Sequence, residues 1–129
     1  MPHRNELSET VGSKIVGKNK IVIYIPDIDD WGEWDKNIID VIRNNDILIL
    51  DGTFFSKKEI KHRNIDKIPH PSIQESMSFF SCLDKEDRKK IFFTHLNHTN
   101  LALNENSSEY NDVITSGYNI LKDRQIFKL

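Results

Sequence analysis

The sequence predicts an α/β fold, on two observations. Three short apolar runs, Ile21-Val22-Ile23-Tyr24-Ile25, Ile47-Leu48-Ile49-Leu50 and Ile91-Phe92-Phe93, are rich in β-branched or aromatic residues and bounded by polar or turn residues. Such runs read as strands buried on both faces. Between them lie stretches with helical periodicity, and an alternation of strand and helix defines the class.

Taken in order, the first element is a strand over Thr10 to Val16, where apolar and polar residues alternate. Gly17-Lys18-Asn19 reads as the hairpin turn that returns the chain into the first apolar run. Trp31 to Arg43 places Trp34, Ile38, Val41 and Ile42 on one helical face. Ser72 with Glu75 three residues on has the form of a capping box, and the helix from Ile73 to about Cys82 would bury Ile73, Met77 and Phe80. Ser107 or Ser108 caps a further helix that ends near Gly117. Asn104 to Ser108 is a polar loop. Tyr118 to Leu121 and Gln125 to Phe127 are expected to form a last pair of strands around Lys122-Asp123-Arg124.

Composition narrows the function classes. With 129 residues the chain is long enough for one compact domain and not for two. A net charge of -2, from 18 basic and 20 acidic residues, does not describe a basic nucleic-acid binder. Cys82 is the single cysteine, so a disulfide scaffold is excluded and a reducing compartment fits. No apolar run approaches the roughly 18 residues of a membrane span, and Met1 to Thr10 has no signal-peptide core. The expected setting is the cytoplasm, with no membrane.

The chemistry-bearing residues sit where the strands end. The first run leads into Pro26-Asp27-Ile28-Asp29-Asp30, the second into Asp51-Gly52-Thr53, the third into Thr94-His95-Leu96-Asn97-His98. In open α/β sheets, ligands bind outside the carboxyl ends of the strands. Asp27, Asp51 and His95 would then deliver two carboxylates and an imidazole to one edge, a donor set suited to zinc or iron. The same aspartates also suit turns and helix starts. A third chemistry fits the pair Asp27 and Asp29 with Asp51: a magnesium-dependent phosphoryl-transfer or receiver-like domain. His70 lies between Pro69 and Pro71, whose fixed backbone angles would aim its imidazole. His98 is either a second ligand or a hydrogen-bonding turn residue. His62 falls in a solvated charged run, and His3 carries no chemical signal of its own.

The order of these elements resembles the second half of coenzyme PQQ synthesis protein B and its relatives, proteins of the metallo-β-lactamase fold. The resemblance rests on Pro2-His3-Arg4, Ser8-Glu9-Thr10-Val11-Gly12, Ile25-Pro26-Asp27, Leu50-Asp51-Gly52-Thr53-Phe54, Ile68-Pro69-His70-Pro71-Ser72-Ile73 and Phe93-Thr94-His95-Leu96-Asn97-His98-Thr99-Asn100. It covers nearly the whole chain. A weaker similarity to tRNase Z-like phosphodiesterases uses the same landmarks. The resemblance implies the C-terminal half of an αββα sandwich, with a mixed sheet and flanking helices. It implies that Asp27 and His95 are metal ligands, that Asp51 orients His70, and that His70 handles protons. Zinc is the implied metal, in a two-metal site of the intact fold, with iron as the alternative. The activity implied is that of a metal-dependent hydrolase or oxidoreductase on a small-molecule, peptide or phosphodiester substrate. The His-x-His-x-Asp-His element that opens the family's metal site does not occur in this sequence. The chain is therefore expected to need a partner chain supplying the N-terminal half, and to be weak or inactive alone.

Overall fold

The computed structural model describes residues 12–26, 38–56 and 71–129. Its centre is a five-stranded sheet in the order β1-β2-β3-β4-β5, with β1 Ser13–Val16, β2 Ile21–Ile25, β3 Ile47–Asp51, β4 Ile91–Thr94 and β5 Asn119–Ile120. β1 returns antiparallel onto β2 through the Gly17-Lys18-Asn19 turn, and β2 to β5 run parallel. The sheet is thus mixed. Parallel neighbours need crossover segments. Within these crossovers are the helices α1 Ile38–Asn44, α2 Ile73–Phe79, α3 Lys85–Arg88 and α4 Ser108–Thr115.

The side-chain period of two divides the sheet into unlike faces. One face carries Ile25, Leu48, Leu50, Ile91, Phe93 and Ile120, which are buried together with Ile38 and Ile42 of α1, Ile73 of α2, Phe80, and Val113 of α4. The other face carries Tyr24, Ile49 and Phe92 side by side across β2, β3 and β4. There Tyr24 is exposed, and Ile49 and Phe92 are half-buried. The expectation that the runs are buried on both faces therefore holds for β3, where Ile47 on this face is buried, and is corrected at Tyr24 of β2 and Phe92 of β4. The helices cover one face, and the tail provides part of the cover on the other.

That tail also departs from expectation. β5 ends at Ile120, and no strand forms over Gln125 to Phe127. A turn does form, closed by Gln125 N–H to Lys122 O at 3.1 Å and Lys122 N–H to Gln125 Oε1 at 3.0 Å. Arg124 adopts φ 61° there. The chain leaving the turn does not pair with β5. Phe127 packs edge-on against Phe92 with ring centroids 5.0 Å apart, and the main-chain oxygen of Leu129 accepts from Asn19 and Lys20 at the β1–β2 turn. The apolar face rewards this course because it covers Phe92, which a hairpin at the sheet edge would leave open.

Helix boundaries follow local capping chemistry. Ser72 accepts from Glu75 N–H at 3.1 Å, and Glu75 Oε1 accepts from Ser72 N–H at 2.9 Å, a complete capping box. Ser107 caps α4 by accepting from Tyr110 N–H. At its other end Gly117, at φ 99°, donates to Ile114 O, and Tyr118 donates to Val113 O, the paired bonds of a Schellman ending. Lys90 closes α1 from outside through Ile42 O and Arg43 O. Ser72→Ala should cost about 1 kcal/mol. That corresponds to a fall in Tm of roughly 4 °C, measurable by thermal circular dichroism. Ile73 and Gln74 also donate to Phe54 O and Phe55 O, so this cap also fastens the segment that follows β3.

Candidate functional site

The carboxyl ends of β2, β3 and β4 lie at one edge, since Ile25 pairs with Leu50 and Asp51 with Thr94. Two of the residues singled out from the sequence occupy that edge. Asp51 is the last residue of β3 and is fully buried. His95 directly follows β4 and is exposed. Asp27 and His70 lie outside the described residues, as do His3 and His62.

Asp51 and His95 meet through a residue the sequence reading passed over. Thr53 donates both its backbone N–H and its hydroxyl to Asp51 Oδ1, at 3.0 and 2.8 Å. The Thr53 hydroxyl oxygen lies 3.3 Å from His95 Nδ1. The signal for the first half of this arrangement was in the sequence: an Asp whose side chain accepts from the backbone two residues on is an Asx turn. The second half needs β3 and β4 to be neighbours.

The two loops that leave these strands are laced together. Gly52 N–H donates to Thr94 O at 2.8 Å, and Asn97 N–H donates to Thr53 O at 2.8 Å. The Asn100 side chain, 2% exposed, donates to Gly52 O at 2.9 Å and to Thr53 O at 3.2 Å, and its Oδ1 accepts from Ala102 N–H at 2.9 Å. All three polar demands of a buried carboxamide corner are thereby met. Asn100 also caps the short 3-10 helix Leu101–Leu103. His95 sits within this lacing at φ 63°. A non-glycine residue in the left-handed region stores about 1–3 kcal/mol of strain, held only where the surroundings over-determine it. Such residues cluster at binding and catalytic sites.

His98 is exposed in the same loop. Among the described residues no three His, Cys, Asp or Glu side chains are grouped to hold a metal ion. Catalytic zinc takes three protein ligands and a water. The described residues thus do not fit a zinc ion by themselves; the imidazoles they offer, those of His95 and His98, belong to no group of three, and the Asp51 carboxylate is buried and engaged by Thr53. No helix among them is long and apolar enough to cross a membrane.

No protein-family model matches the chain. Over 131 residues it is 25% identical to coenzyme PQQ synthesis protein B of Acinetobacter baumannii (strain ACICU), a match covering 95% of this chain and 42% of that protein. The Gluconobacter oxydans (strain 621H) protein of the same name is 23% identical over 126 residues, covering 94% and 40%. Among solved structures, Zn2+-bound PqqB from Methylobacterium extorquens superposes with a TM-score of 0.74 at 23% identity, covering 93% of this chain and 44% of that one. The fold is that of PqqB, a metallo-β-lactamase fold. The resemblance read from the Asp-Gly-Thr-Phe and Thr-His-x-Asn-x-Thr-Asn elements is thus borne out in sequence and in fold. The chain spans about two fifths of the length of the curated relatives it matches. The zinc of the solved PqqB belongs to that protein.

Proposed function

We propose that this chain forms part of the metal site of a cytoplasmic metal-dependent hydrolase or oxidoreductase of the coenzyme PQQ synthesis protein B kind. In this reading His95 and Asp27 are ligands, His70 moves protons, and the remaining ligands come from chain beyond these residues, on the same polypeptide or a partner. Zinc is the metal expected, with iron as the alternative. The substrate is a small molecule, a peptide or a phosphodiester.

The observation that carries the reading is the placement of His95. It stands exposed at the carboxyl end of β4, in a strained backbone conformation, on the edge where Asp51 ends β3. The hydrogen bonds Gly52 N–H to Thr94 O and Asn97 N–H to Thr53 O, on either side of His95, hold it there. The phosphoryl-transfer alternative has less support. Its receiver-like form needs the strand order 2-1-3-4-5, whereas the described strands follow one another in sequence. Its phospho-acceptor, Asp51, is fully buried.

The test is zinc binding to the purified 129-residue chain. Two protein ligands leave a bound ion mostly hydrated and exchangeable. We expect weak, sub-stoichiometric zinc after extensive dialysis, most of it lost in His95→Ala, and no hydrolysis of phosphodiesters or esters above background. His70→Ala should leave the zinc content nearly unchanged. Zinc retention that His95→Ala does not alter would overturn the assignment of His95. Stoichiometric zinc with turnover would show that these residues are self-sufficient.

A further inference from the structure

We propose that Thr53 is a positioning residue that sets the tautomer of His95, passing the charge of Asp51 to the imidazole through a single hydroxyl. The proposal rests on the reading above only for the use to which His95 is put; the tautomer itself is a property of the metal-free chain.

A threonine hydroxyl has one hydrogen to give and two lone pairs. An ionised carboxylate only accepts. At 2.8 Å from Asp51 Oδ1, the Thr53 hydroxyl therefore spends its hydrogen on Asp51. What it then presents to His95 Nδ1, at 3.3 Å, is a lone pair. Nδ1 must be the donor. In the neutral ring the proton then sits on Nδ1, and Nε2 carries the electron pair. Were the hydroxyl to turn and donate to Nδ1 instead, Asp51 Oδ1 would lose one of its two Thr53 donors inside a fully buried site. Withholding a partner from a buried charged group costs more than the bond is worth net. Asp51 thereby holds the hydroxyl hydrogen, and the hydroxyl oxygen draws the ring proton to Nδ1.

The backbone is arranged so that Thr53 cannot drift from this position. Its N–H is held by Asp51 and its carbonyl by Asn97 N–H and the Asn100 side chain. Asn97 and Asn100 belong to the loop that begins with His95, so threonine and imidazole are fixed from the same two strands. A carboxylate that acts on a histidine directly needs the two side chains in contact. Here the buried carboxylate stays out of reach of solvent, at 0% exposure, while the imidazole it governs is exposed. The intervening hydroxyl, itself 8% exposed, spans the boundary.

The experiment is long-range 1H–15N correlation NMR on 15N-histidine-labelled, metal-free chain at about pH 8, where an ordinary imidazole is neutral. The expected spectrum shows His95 Nδ1 as pyrrole-like and Nε2 as pyridine-like. His98 serves as an internal reference in the same spectrum. Thr53→Val should move His95 toward the averaged pattern of a free imidazole, and Thr53→Ser should restore the wild-type pattern. A pyridine-like Nδ1 in the unaltered protein would overturn the proposal, whatever the variants do. So would an unchanged His95 pattern in folded Thr53→Val. A zinc arm keeps the two readings apart. If Thr53 sets the tautomer and His95 is a ligand, Thr53→Val should lower zinc affinity about 10–100-fold, as loss of a ligand's hydrogen-bond partner does. A tautomer that behaves as stated with no zinc response to His95→Ala would leave the Thr53 assignment standing and defeat the metal reading.

Discussion

Asn100→Asp should lower the unfolding free energy by about 3–5 kcal/mol at neutral pH, the range seen when a buried charge lacks compensation. Asn100 Nδ2 donates to two carbonyl oxygens, those of Gly52 and Thr53, in a position 2% exposed. The substitution is nearly isosteric but puts a carboxylate oxygen against those two carbonyls. Three acceptors then face one another with no hydrogen among them. The loss is a large fraction of the roughly 5–15 kcal/mol that holds a domain together. Its pH dependence separates it from a packing defect. Burial and the facing carbonyls would raise the introduced carboxyl above its ordinary value of about 3.9. A raised folded-state pKa gives stability that is present below the unfolded value and lost as pH rises through the folded one. The deficit should therefore shrink toward pH 4 and be largest at pH 7 and above. Asn100→Ala should cost about 2–3 kcal/mol, through the Gly52 carbonyl that loses its side-chain donor and an orphaned Ala102 N–H, with no such pH dependence; Thr53 O keeps Asn97 N–H. Urea denaturation at pH 4.5 and 7.5 measures both. A loss under about 1 kcal/mol for Asn100→Asp at pH 7.5 would mean that Asn100 does not hold the two loops together.

Gly52→Ala is expected to cost about 3 kcal/mol, at the upper end for an overpacked core. A methyl group there would stand 2.8 Å from Phe93 Cβ, 3.2 Å from Thr94 O and 3.4 Å from Ile73 Cδ1. The first two are a Cβ and a backbone oxygen of β4, so no side-chain rotation removes them. The strands must part. Parting them stretches the Gly52 N–H to Thr94 O bond and moves Thr53 relative to His95. Two readouts should therefore change together, the denaturation midpoint and the His95 ring-nitrogen shifts. Stability lost with the His95 signals unmoved would place the strain in the core alone, without passage to the site.

The elements that the sequence determined by itself are those decided within a few residues. Five or fewer apolar residues between turn residues made β2, β3 and β4, because backbone and burial requirements there are local. Ser72 with Glu75 started α2, and Gly117 ended α4, because caps are satisfied by residues no more than about four positions away. Placing Asp51 and His95 at one edge also followed from the sequence, since both directly end strands of like direction. The link between them did not. Thr53 reaches His95 across 42 positions, and Asn100 reaches Gly52 across 48. Those bonds exist only for one register of β3 against β4, in which Asp51 stands beside Thr94. A slip of one residue would send Asp51 to the opposite face. The register is chosen by the burial of Leu48, Leu50, Ile91 and Phe93 under the helices, a contest settled by the whole core. The course of the tail over Phe92 was likewise decided in three dimensions, by an apolar sheet face that no neighbouring segment in the sequence reveals.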